Sequence, residues 1–359
     1  MIDLDKQEKI SKLLGGIKVI KSINSFPQQL QQSIKESFEV KFPQAYSKIN
    51  NITVCAMGGS RFTPFVVKEL FKSNISIPFI INDDYILPEY VNNNSLVILS
   101  SYSGTTEEVL ICGEKAREKN AKIVCISTGG ELINFGKKNN YPCYKFIPAY
   151  NPSNQPRIGF GYIIGGVIGL LSRLNLLNIP LNQVEAVIEK LPQLLSNNKI
   201  KVQVKQNPAK QMAINLFQKY PYYIVSEFLT GVGNAIQNQT NENAKQISTF
   251  RVIPELNHHM MEGLKLPTIH RDLAVFVFFF SKFYSEKIKK RYHVTKDVVE
   301  QNKINTIWHE LRGGTAIEQV FELLGFGSFM TMYLSALNEQ DPTVIPYVDY
   351  FKKKLKEVD

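Results

Sequence analysis

The chain has 359 residues, room for two domains of ordinary size, and its 44% hydrophobic content supplies a sizeable core. Its formal net charge is +10, but the lysines are spread widely, and the two dense runs at 287–291 and 352–356 do not alternate with aromatics on a nucleic-acid module, so a basic surface drawing small anions is expected and nucleic acid is not. Four cysteines (Cys55, Cys112, Cys125, Cys143) form no C-x-x-C pair and have no histidines at zinc spacing, and the polar N-terminus lacks a signal-peptide pattern, which points to a reduced, cytoplasmic protein.

In chain order, short apolar runs at 52–57, 79–82, 96–100, 122–127 and 144–147 read as strands, separated by helical patterns at 61–72, 107–119 and 131–138. That alternation predicts βαβ units and a parallel sheet covered on both faces, an α/β fold with ligands at the carboxyl ends of its strands. The glycine-rich apolar stretch 158–171 is too short to span a bilayer and reads as a buried helix; no membrane partner is expected. A connecting helix is expected over 183–198. A weaker alternation follows, with strands at 222–226, 250–253 and 273–280. Residues 284–312 are lysine-rich and poorly patterned, and helices are expected at 316–338 and 344–355.

The strand at 96–100 empties into Ser101, Tyr102, Ser103, Gly104, Thr105 and Thr106, followed by Glu107 and Glu108 at a helix start. The first helical turn has unpaired backbone N–H groups, and its dipole favours an anion. Plain N-capping is the rival reading of such hydroxyls, although five of them in one turn exceed what a cap needs. Gly58-Gly59-Ser60 follows the first strand directly and forms a second such turn, with Thr128-Gly129-Gly130 a third. The glycine pair is not a G-x-G-x-x-G fingerprint, so no dinucleotide cofactor is expected. Two neighbouring neutral, hydroxyl-lined turns suit a phosphate monoester on a small molecule.

Further on, Asn241-Glu242-Asn243-Ala244-Lys245 sets a carboxylate among amides and a lysine, and Glu255-Leu256-Asn257-His258-His259 follows. Successive histidines point to different faces, so they do not readily share a metal, and none is expected. A Glu base and a His acid/base near a phosphate suit proton abstraction beside a carbonyl, the chemistry of sugar isomerisation. Arg157, stiffened by Pro156, is a candidate to steady an enediolate.

Gly58-Gly59-Ser60 and the 101–108 stretch resemble the sugar isomerase (SIS) domain. With Gln155-Pro156-Arg157, the 241–245 and 255–258 motifs and Asp341-Pro342-Thr343-Val344, the chain from about residue 50 onward resembles the bifunctional phosphoglucose/phosphomannose isomerases. The resemblance implies two doubly wound parallel-sheet SIS domains, 1–180 and 181–359, with helices on both faces, in a homodimer with shared sites. It implies that Gly58, Gly59, Ser60, Ser101, Ser103 and Thr106 surround the sugar phosphate. Glu242 would then move the proton, and Arg157 would stabilise the cis-enediolate. His258 from the partner subunit would open the ring, and Lys352, with Lys353 one position away, would stand at the ring oxygen. Thr343 would serve mannose 6-phosphate turnover. No cofactor is implied. The family's Asn-His is usually followed by Asn-Glu, where this chain has His259-Met260, and the lysines of 284–312 have no counterpart. A non-catalytic phosphosugar sensor, or another SIS isomerase, is the competing expectation; a sensor has no need of Glu242 and His258.

Overall fold

The apolar runs assemble into two parallel sheets in a computed structural model that describes residues 2–13, 15 and 17–358. The first holds β1 (Asn51–Ala56), β2 (Phe79–Asn82), β3 (Ser95–Ser100), β4 (Lys122–Ser127) and β5 (Cys143–Lys145), in the order β2-β1-β3-β4-β5. The second holds β6 (Tyr220–Ser226), β7 (Thr249–Ile253), β8 (Ala274–Phe280) and β9 (Asn305–Glu310), in the order β7-β6-β8-β9. The same winding thus occurs twice, with one extra strand in the first sheet. Every residue of β1 and β3 is buried, as a strand covered on both faces requires. The strand order reverses between β1 and β3, where Ala56 pairs with Ser100, so the turns after these two strands lie side by side at one level.

The helix after each sheet's first strand, Gly58–Leu70 and Thr230–Ala244, packs on its counterpart, and one hydrophobic core runs through both halves. Helix Ala316–Leu337 is long and apolar enough to cross a membrane, but the fold buries it against Pro208–Leu216 and Thr230–Ala244.

The elements of the first sheet fall within a few residues of their expected places. Three helices before residue 50 (Gln7–Leu13, Ile17–Asn24, Phe26–Phe38) were not expected. The last of these buries Phe26, Leu30 and Ile34 but also turns Gln29, Ser33 and Ser37 inward, and these polar residues dilute its apolar stripe. It lies along Gly161–Arg173, where Cβ atoms at Gly165 and Gly169 would overlap Ser33 Oγ and Ser37 Oγ. Ser33 donates instead to the Gly161 carbonyl at 3.0 Å. The poorly patterned 284–312 segment is in fact regular: helix Glu286–Gln301 buries Ile288, Tyr292, Thr295 and Val299 at helical spacing beneath a lysine-rich outer face, and β9 follows as a half-exposed edge strand.

Candidate active site

The turn after β3 shapes itself with its own hydroxyls. Thr106 stands at the N-cap of helix Glu107–Glu118 but makes no side-chain cap bond; its Oγ1 pairs with Ser101 Oγ at 2.7 Å. Ser101 is buried and accepts from the Gly104 N–H at 3.0 Å. Gly104 has φ +75, and a Cβ there would run into the Gly129 carbonyl, so the 128–130 loop closes the back of the turn. Ser103 is exposed, its Oγ 3.0 Å from Thr105 Oγ1. The helix N-terminus therefore keeps its outward N–H groups for an external anion.

Ser60, buried in the first turn of Gly58–Leu70, accepts from the Tyr102 N–H at 3.0 Å and joins the two turns. Its hydroxyl proton is left to donate. Gly58 is exposed with φ +50. Gly59 lies against the 156–157 backbone, where a Cβ would stand 3.2 Å from the Arg157 nitrogen. The phosphate-type wall thus runs directly into Arg157.

Arg157 is 1% exposed, and its guanidinium spends its donors on several acceptors. Nε donates to Asn243 Oδ1 at 2.8 Å, and Nη1 donates to Gln155 Oε1 at 2.9 Å. Nη2 donates to the carbonyls of Pro342 and Thr343. Nη1 also stands 3.4 Å from Glu242 Oε2. Burial draws its pKa down, but Glu242, Asp341 and Asp349 oppose this, and the guanidinium remains a cation.

Glu242 occupies the last turn of Thr230–Ala244, its side chain partly exposed. Burial pushes its carboxyl above the usual range, against the pull of Arg157, Lys245 and Lys352. A carboxylate poised this way is suited to take a proton from carbon and return it. Lys352, on helix Pro346–Val358, contributes its charge at Glu242, and Asp349 of the same helix acts on Arg157. The C-terminal helix therefore lies beside the site, with Lys352 rather than Lys353 among the charges acting on Glu242. Thr343 donates its backbone N–H and its hydroxyl to Asp341 Oδ1 at 2.7 and 2.6 Å, a turn that aims the 341–343 carbonyls at the cations.

Among the described residues no hydrogen bond or ion pair joins His258 to Glu242, and His258 is not among the charges acting on it. His258 ends the turn Glu255–His258, exposed, and among the described residues its side chain makes no hydrogen bond or ion pair, whereas His259 pairs with Glu255 at 2.9 Å. No cluster of His, Cys, Asp or Glu suited to a metal occurs among the described residues. Gln155, Asn243 and Lys245 have no expected role in the sequence, though each lies within three residues of Arg157 or Glu242. The signal was the shared motif; what it lacked was the fold that brings the motifs together.

Residues 205–355 match the bacterial phospho-glucose isomerase C-terminal SIS domain family. A bifunctional phosphoglucose/phosphomannose isomerase from Caldicellulosiruptor bescii is 29% identical over 343 residues, covering 95% of this chain and 99% of that one. A protein of the same name from Thermoplasma acidophilum is 30% identical over 322 residues, covering 88% and 94% of the two chains. The crystal structure of a hypothetical protein from Thermus thermophilus superposes with TM-score 0.72 at 13% identity, over 98% of this chain and 93% of that one, and shares the fold.

Proposed function

The chain belongs to the bifunctional phosphoglucose/phosphomannose isomerase family, and on that premise we propose that it interconverts glucose 6-phosphate and fructose 6-phosphate, and turns over mannose 6-phosphate as well. The observation that carries this reading is the half-buried Glu242 carboxylate 3.4 Å from the Arg157 guanidinium, beside a hydroxyl-lined helix N-terminus.

In this reading Ser60, Ser101, Ser103 and Thr106, with the Gly58-Gly59 backbone, hold the phosphate and fix the sugar's reacting end at Glu242. Ionised Glu242 takes the proton from C2 of the open-chain aldose. The C–H electron pair forms the C1=C2 bond, and the O1 carbonyl pair becomes the enediolate charge, opposed by Arg157. A proton passes from O2 to O1, Glu242 returns its own proton to C1, and the ketose results. No other reactant is consumed. Lys352 assists at the ring oxygen, and Thr343 shapes the pocket for the mannose epimer.

His258 then opens the ring from a second copy of the chain. The lack of a side-chain partner for His258 among the described residues supports this, as do the exposed Tyr347, Phe351, Leu266 and Ile269, apolar surface that a second copy would cover. We place the domain boundary at 180, after the helix that closes the first sheet's layer, and the activity in the cytoplasm. A coupled assay for fructose 6-phosphate formation from glucose and mannose 6-phosphates, with and without chelator, tests the reaction. Turnover of both substrates, undiminished by chelator, is expected; no turnover, or turnover lost on chelation, contradicts it.

A further inference from the structure

Lys245 follows the last residue of the Glu242 helix in the left-handed conformation, φ +52, a place more often given to glycine. The side chain folds back over the end of its own helix. Its Nζ donates to the Glu242 carbonyl at 2.6 Å and to the Asp341 carbonyl at 2.9 Å. Asp341 opens the turn from which helix Pro346–Val358, bearing Lys352, departs. Arg157 holds the next two carbonyls, Pro342 and Thr343. Three successive carbonyls are thus gripped by two cations, and both cations also face the Glu242 carboxylate.

We infer that Lys245 is a positioning residue for the isomerisation: its ammonium ties the Glu242 end of its helix to the 341–343 turn and helps hold the carboxylate ionised. This rests on Glu242 being the base. The charged groups around the pair are few. Arg157, Lys245 and Lys352 face Glu242, while Arg157, Asp341 and Glu242 face Lys245, and Asp349 acts on Arg157. Burial alone pushes Glu242 toward its neutral, non-basic form, so removing one of three cations leaves that push less opposed. Burial and the Arg157 charge also draw Lys245 down to about 8. Its ammonium therefore gives up its proton just above neutral pH, and the grip on both carbonyls weakens from charged to neutral hydrogen bonds.

The test is the pH dependence of kcat and KM for glucose 6-phosphate in the full-length protein and in Lys245→Met, Lys245→Arg and Glu242→Gln, with thermal unfolding run alongside. The wild type should show an acid limb from Glu242 and an alkaline limb near pH 8. Lys245→Met should lower kcat at least about tenfold with KM little changed, and move the acid limb up by about half a unit or more. Lys245→Arg, which does not titrate in this range, should keep the acid limb and lose the alkaline one. An acid limb unmoved and kcat near wild type in Lys245→Met would overturn the inference. An alkaline limb that persists in Lys245→Arg would do so too, and this outcome decides the matter if Lys245→Met fails to fold. Retained turnover in Glu242→Gln would instead sink the assignment of the base itself.

Discussion

Arg157 leaves the first sheet's layer and meets Glu242, on a helix of the second sheet, at 3.4 Å. Arg157 comes from the first half and Glu242 from the second, so the contact between halves is what brings this cation and this carboxylate together. Arg157 is also the keystone of a small network. Asn243, Gln155, Pro342 and Thr343 all accept from it, so its position is fixed from both sides of the junction. A buried cation held by this many acceptors is rigid before any substrate arrives, which is what electrostatic stabilisation of a developing enediolate requires.

Ser103 is exposed, and its hydroxyl bonds only within its own turn, so its removal should leave the fold intact. Ser103→Ala is expected to change stability by less than about 0.5 kcal/mol and to raise KM roughly tenfold, one lost hydrogen bond to a charged phosphate, with kcat close to wild type. Steady-state kinetics on the purified variant decide this. An unchanged KM would mean that the phosphate sits elsewhere.

Much of this architecture is readable from the chain. β1, β3 and β4 announce themselves as largely apolar runs because both of their faces are covered, and the hydroxyl turns stand at their carboxyl ends where such sheets bind ligands. Helix Phe26–Phe38 is harder to read: its buried face mixes Phe26, Leu30 and Ile34 with Gln29, Ser33 and Ser37, and the polar half, packed close to glycines, dilutes the apolar stripe. Helix Glu286–Gln301 does carry its stripe of Ile288, Tyr292 and Val299, but lysines on the outer face drown it. Within the site, Ser60, Ser101 and Thr106 follow from a local strand-to-helix pattern. The meeting of Arg157 with Glu242 and Asn243 is a matter of tertiary contact, and no local periodicity encodes it.

If His258 serves the site of a second copy, two individually inactive variants should complement each other. Glu242→Gln and His258→Ala, each with little activity alone, should regain about a quarter of wild-type turnover when unfolded together and refolded at equal amounts, because half of the dimers are then mixed and each has one site with both residues intact. Mixed samples no more active than the separate variants would place His258 in its own chain's site or outside the chemistry.

His309 gives the protein a defined acid sensitivity. Its ring stacks on Phe326 at 4.3 Å and meets Phe279 edge-on at 5.8 Å, and burial together with nearby Arg312 lowers its pKa from 6.5 to about 4. Between those two values the unfolded chain binds a proton that the folded chain refuses, so stability rises with pH across the window and is lost as pH falls through it. His309→Phe removes the titration. Urea unfolding at pH 7 and pH 4.5 should show a smaller loss of stability in the variant than in the wild type; equal losses would assign the acid sensitivity to other groups.

In the proposed reaction Glu242 carries the proton between C1 and C2. Incubating the protein with glucose 6-phosphate in deuterium oxide and following C2–H and C1–H by NMR tests it at the atom concerned. The wild type should wash deuterium into the sugar phosphates as it turns over. Glu242→Gln should still bind glucose 6-phosphate, with a Kd within a few-fold of wild type, yet incorporate no deuterium and form no fructose 6-phosphate. Deuterium incorporation at near wild-type rate in Glu242→Gln would show that another group is the base.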